Sequence, residues 1–137
     1  MTPKPIFEID GTKIRTLEDF FDEISRVLRP GVSWERNLDA FNDILRGGFS
    51  PPQIGGFVLR WNASDTSRER LSYPETVREL EKRLERCHPS NRESVRKQLA
   101  EAQQGRGAVV FDWLVDIIRD HGSAGNQSED QIELILA

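Results

Sequence analysis

The sequence predicts an α/β fold: a small three-stranded parallel sheet packed with helices, carrying an inserted helical hairpin. Three observations point to it. Short apolar runs of strand character stand far apart, at 6–9, 57–61 and 132–136. Segments of helical period separate them, and strands alternating with helices favour parallel pairing through crossovers. Between residues 72 and 107, two further helical segments carry only thin apolar stripes, too little for a core of their own.

Taken in order, Ile6-Phe7-Glu8-Ile9 reads as the first strand, stopped by the turn dipeptide Asp10-Gly11. Leu17, Phe20, Phe21, Ile24, Val27 and Leu28 follow at helical spacing, with Thr16 as N-cap, and Pro30-Gly31 closes that helix. Ser33 can cap a second helix over about 34–46, ended by Gly47-Gly48. Ser50-Pro51-Pro52 and Gly55-Gly56 bound a loop before the second strand, and 62–71 holds a short helix.

Within 72–107, Thr76 with Glu79 and Ser90 with Glu93 both fit the capping-box pattern. Val77, Leu80, Leu84 and Cys87 form one stripe; Val95, Leu99 and Ala102 form another; His88-Pro89 breaks the chain between them. This hairpin must lean on the main domain or on a partner. Val109, Val110, Phe111, Leu114, Val115, Ile117 and Ile118 then make a strongly apolar helix closed by Gly122, and a polar loop leads to the last strand. The whole, residues 1–137, is expected to be one domain.

At 137 residues with 36% hydrophobic and 31% charged side chains, the chain is polar for a globular domain, but its apolar residues are grouped. No run suits a signal peptide or a membrane span, and the single cysteine, Cys87, cannot form an internal disulfide. A reducing cytoplasm is the simplest expectation. Net charge is −4, divided as −2 over 1–67, +3 over 68–107 and −5 over 108–137. A mostly acidic scaffold argues against nucleic acid as direct ligand and favours a cationic partner, or merely solubility.

The second helix is the most informative segment. At about 100° per residue, Leu38, Phe41, Ile44 and Leu45 fall on one inward stripe, while Asp39 and Asp43 fall one turn apart on the outward face. Such carboxylates repel by a few tenths of a kcal/mol. Arg36 and Arg46 stand three residues from Asp39 and Asp43 and can pair with them. The face is then either a solvated surface with local salt bridges or a carboxylate pair awaiting cations on a partner.

The run Trp34-Glu35-Arg36-Asn37-Leu38-Asp39-Ala40-Phe41-Asn42-Asp43-Ile44-Leu45 closely resembles the second helix of the barstar family, intracellular inhibitors of a secreted bacterial ribonuclease. Its setting agrees: Ile9-Asp10-Gly11 and Ile14-Arg15-Thr16-Leu17 precede it, Val58-Leu59-Arg60-Trp61 follows, and an apolar helix and strand close the chain. The resemblance covers about 5–71 and, more weakly, 108–136, so 72–107 reads as an insertion. It implies that the helix enters a nuclease active site and sets carboxylates where RNA phosphate would lie. Asp43 matches the central contact to the nuclease's arginines and catalytic histidine, and Asp39 the second acidic contact. Trp34 falls on an aromatic contact position and is expected to be the exposed tryptophan of the three; Asn37 matches the asparagine at the helix start. Arginine forks bind carboxylate and phosphate alike in bidentate fashion, and opposed charges speed encounter. Glu35, Asn42 and Gly48 depart from the family pattern, and a further acidic contact from the last helix falls on Asp112, Asp116 or Asp120.

A related immunity protein against another toxin nuclease would share these features. Two rivals belong to other classes: an interaction module binding a different protein through the hairpin, and a metal-dependent hydrolase built on Asp10, Asp39 and Asp43. His88, before a proline, and His121, at a helix C-terminus, suit structure better than catalysis. The expectation is a one-to-one inhibitor of a ribonuclease, without enzymatic activity, cofactor or metal, and with neither nucleic acid nor membrane as partner.

Overall fold

A computed structural model describes residues 4–46, 56–122 and 131–137. The expected turns at 47–48 and 50–55 and the polar loop at 123–130 lie outside the described residues. Three strands, β1 (Ile6–Asp10), β2 (Phe57–Asn62) and β3 (Ile132–Leu136), form a parallel sheet in the order β1-β2-β3. Ile9 pairs with Trp61, and Leu59 with Leu134. The period-two alternation sends Ile9, Phe57, Leu59, Trp61 and Ile132 into the core. Glu8, Arg60 and Glu133 point the other way and are exposed. The central strand is the most deeply buried of the three, because it alone has neighbours on both sides.

Six α-helices lie among the described residues. Helix α1 (Leu17–Leu28) opens as expected, Thr16 Oγ1 accepting from Asp19 N–H at 3.1 Å. It buries Leu17, Phe20, Phe21 and Ile24. Helix α2 (Leu38–Leu45) is shorter than the sequence suggests. Residues 32–36 are not helical, and Asn37, not Ser33, is the cap: its Oδ1 accepts from Ala40 N–H at 2.7 Å. Phe20 is the hub of the core, its ring 5.2 Å from Phe41 and 5.1 Å from Trp61.

Helix α3 (Ser64–Arg70) follows β2 directly through Ala63, which takes a left-handed conformation at φ 52°. A close approach explains Gly11. A Cβ there would lie 2.5 Å from the Ala63 carbonyl oxygen and 2.6 Å from Ser67 Oγ. That hydroxyl donates to Gly11 O at 3.1 Å and accepts from the buried Trp61 Nε1 at 2.9 Å.

Helices α4 (Tyr73–Arg86) and α5 (Arg92–Gln103) pack on each other, joined through a short turn at Pro89–Asn91. Their contact buries Leu80, Val95 and Ala102, a small cluster separate from the main core. Neither expected capping box forms. Pro74, tolerated in a helix's first turn, lets α4 begin at Tyr73, so Thr76 is already inside it. The Thr76 hydroxyl donates to Ser72 O at 2.9 Å and accepts from Val110 N–H at 2.9 Å. Ser90 sits in the turn, its N–H donating to His88 Nδ1, and α5 starts two residues later. Helix α6 (Val110–Asp120) returns to the main core, burying Val110, Phe111, Leu114, Val115 and Ile118. Gly122 follows its end, where a Cβ would press on Ile132 O at 3.1 Å.

Candidate functional site

Helix α2 stands on the core through Phe41, Ile44 and Leu45, exposed by 0–3%. That anchoring fixes the opposite face. Asp39 and Asp43 are both exposed there. Asp39 carries no hydrogen bond or ion pair among the described residues. Asp43 has Arg46 Nη1 at 3.7 Å, with the side chains 60% and 50% exposed. So open a pair contributes at most about 1 kcal/mol and yields readily to a better-placed cation. The expected Arg36–Asp39 pairing does not occur: Arg36 turns to Asp22 on α1.

Asn37 stands at the start of α2, as expected, and its side chain is engaged in the cap. Trp34 is a correction. It is buried, exposed by 8%, with its ring edge-on to Phe21 at 5.5 Å and its Nε1 donating to Ser25 Oγ at 3.3 Å. Because the helix starts four residues later than expected, Trp34 lies on a non-helical segment, where its side chain turns inward. Trp61 is fully buried, and the partly exposed tryptophan is Trp113, with the Arg83 guanidinium 5.0 Å from its ring centroid.

Two features of the site escaped the sequence. His121 is fully buried at the C-terminal end of α6, and its Nε2 meets Asn42 Oδ1 of α2 at 2.7 Å. This bond ties α2 to α6 one residue before Asp43. Seventy-nine positions separate the partners, so no local pattern could have shown it. Of the candidate acids on α6, Asp112 accepts from Val109 N–H at 3.1 Å and so caps its own helix, while Asp116 is exposed.

The second feature is a cluster joining α4 to α1. Leu17 N–H, at the open end of α1, donates to the buried Glu75 Oε2 at 2.7 Å. Arg78 bridges Glu75 and Glu18, each at 2.6 Å, and Lys82 bridges Glu18 and Glu79. Burial works to raise the Glu18 pKa, but the bonds from Arg78 and Lys82 outweigh it and hold the carboxyl at about 2. Burial raises Glu79 instead. Among the described residues, Glu18, Glu75 and Glu79 are the carboxylates close enough to share a cation, and Arg78 and Lys82 already serve them. Asp10, Asp39 and Asp43 are not brought together: Asp10 accepts from Thr12 N–H and Oγ1 at its own turn.

The described residues thus form a small parallel α/β domain that carries two exposed carboxylates on the outer face of a helix anchored to the core by its buried stripe. The chain belongs to the Barstar (barnase inhibitor) family, whose model matches residues 4–106. No curated protein matches the chain. No helix among the described residues is long and apolar enough to cross a membrane.

Proposed function

We propose that the chain is a cytoplasmic inhibitor of a barnase-like ribonuclease, binding one-to-one and filling the enzyme's cationic cleft with the outer face of α2. The observation that carries this reading is the state of the two aspartates: Asp39 lacks a partner among the described residues, and Asp43 has only a loose one at 3.7 Å. A helix locked by its buried stripe loses little backbone freedom when it docks. Asp43 takes the arginines that would hold a phosphate, exchanging its exposed Arg46 contact for desolvated, bidentate ones. Asp39 takes a second cation one turn away. Asn37 and Trp34 serve from behind, the first by capping α2 and the second by bracing the segment that leads into it. The hairpin 72–107 is an insertion into a single domain.

The test is co-expression with barnase, followed by purification and titration of the complex. Wild-type chain should protect cells and co-purify in equimolar amount. Removing one member of a desolvated ion pair costs about 3–5 kcal/mol, so Asp43→Ala should weaken binding about a hundredfold or more. Asp39→Ala should weaken it less. Full inhibition by both variants would overturn the mechanism.

A further inference from the structure

The face of α2 does not end at Asp39. Beside it, α1, the start of α2 and the outer side of α4 enclose an open groove of about 990 Å³. Phe21 and Leu38 form part of its lining, Asp39 and Arg36 stand at the α2 side, and Lys82, Arg83 and Arg86 at the α4 side.

Most of the charges here are already satisfied. Arg36 pairs with Asp22, Lys82 with Glu18 and Glu79, and Arg83 lies over Trp113. Two are not. Among the described residues, Asp39 and Arg86 have neither hydrogen bond nor ion pair, and both are exposed. The groove therefore offers a free carboxylate from one helix and a free guanidinium from another. A cation in the last turn of α4 is favoured by the helix dipole, but that attraction leaves its five N–H donors open.

The kind of occupant follows from the lining. Small-molecule sites are mostly apolar and enclosed. This groove is open and lined mainly by charged side chains, as the polar rim of a protein interface is. It is also continuous with the proposed inhibitory face, because Asp39 belongs to both. We propose that the groove is a second contact surface for the same ribonuclease that α2 blocks, receiving an edge of that enzyme that sets a basic side chain against Asp39 and a carboxylate against Arg86. The inference rests on the function proposed above. It adds that the hairpin selects among nucleases: a partner with a cationic cleft but no carboxylate at its rim would lose the Arg86 contact.

Cys87, the single cysteine of the chain, lines the groove and is half-buried, so its thiol reports on occupancy. The experiment uses the full chain and barnase. An aromatic disulfide reagent is added to the free protein and to the saturated complex, and adduct on this chain is counted by mass. Affinities are measured for wild type, Arg86→Glu and Asp43→Ala. The expected result is at least fivefold slower labelling of Cys87 in the complex and at least fivefold weaker binding by Arg86→Glu. Labelling at an unchanged rate in a complex that forms normally, or wild-type affinity in Arg86→Glu, would overturn the groove while leaving the α2 mechanism standing. A wild-type chain that does not bind barnase would overturn both.

Discussion

At the scale of single residues, the informative positions are those where a side chain's neighbours decide its role. Trp34 lies on a contact position of the family pattern, yet its indole is wedged against Phe21 and hydrogen-bonded to Ser25. Its contribution is therefore to stability first. Truncating a buried tryptophan to alanine costs about 3–5 kcal/mol, a large part of a small domain's total. Trp34→Ala should lower the free energy of urea unfolding by that amount. The fraction that remains folded should bind barnase with an affinity within about threefold of wild type. A large loss of affinity in folded protein would return Trp34 to the interface. Asp39 and Asp43 were legible in the sequence because a four-residue spacing on a helix fixes direction once the inward stripe is known. The partners of those side chains were not legible. Arg36 could have paired along the helix with Asp39, and only the tertiary placement of α1 brings Asp22 to it instead.

At the scale of elements, all three strands, the start of α1 and the two helices of the hairpin were readable from period and punctuation, whereas the starts of α2, α4 and α5 were not. Caps compete: Ser33 and Asn37 both suit the role, and Asn37 takes it, its Oδ1 accepting from Ala40 N–H while Trp34, before it, packs on Phe21 and donates to Ser25. Thr76 shows the same competition, since Pro74 favours the earlier start. The docking of α4 on α1 is an electrostatic joint, and its pH dependence can be signed. Glu18 is held at about 2 in the folded chain against an ordinary 4.5. A depressed carboxyl stabilises the fold fully above the ordinary value and loses that contribution as pH falls toward about 2. Glu79 is raised by burial and works in the opposite sense, its share being lost as pH rises through its folded value. Glu18 also holds two cations, so the fall in acid should dominate. The thermal midpoint of wild-type protein should drop between pH about 4.5 and 2, and Glu18→Gln should flatten that part of the curve. Parallel curves for the two proteins would show that the joint is not set by Glu18.

At the scale of the whole molecule, the chain leaves the main domain and comes back to the place it left. Phe111 N–H donates to Leu71 O at 3.1 Å, so the two ends of the segment between them already lie within hydrogen-bond distance. The hairpin keeps its own small cluster around Leu80 and Val95 and meets the main core chiefly through Trp113, the Thr76–Val110 bond and the Glu75–Leu17 bond. The sheet, α1, α2 and α6 share a core to which the hairpin adds none of the fully buried side chains. Replacing 72–107 with a short glycine-serine link should therefore leave a folded α/β domain. Loop closure costs little over so short a gap. What is lost is specific: Leu17 N–H loses its carboxylate, Val110 N–H its hydroxyl, Glu18 its two cations, and one face of Trp113 its cover. A hydrogen bond contributes about 0.5–1.5 kcal/mol, or about 1.5–3 where one partner is charged, so the two bonds together amount to about 2–4.5 kcal/mol. The excised protein should keep its circular dichroism spectrum, melt at a lower temperature, and still bind barnase through Asp43, with the increment from Arg86 gone. An excised chain that folds but binds nothing would place recognition in the hairpin and make α2 the support rather than the plug. One that cannot fold would mean that the joint around Glu75 belongs to the core of the domain and that 72–107 is no insertion.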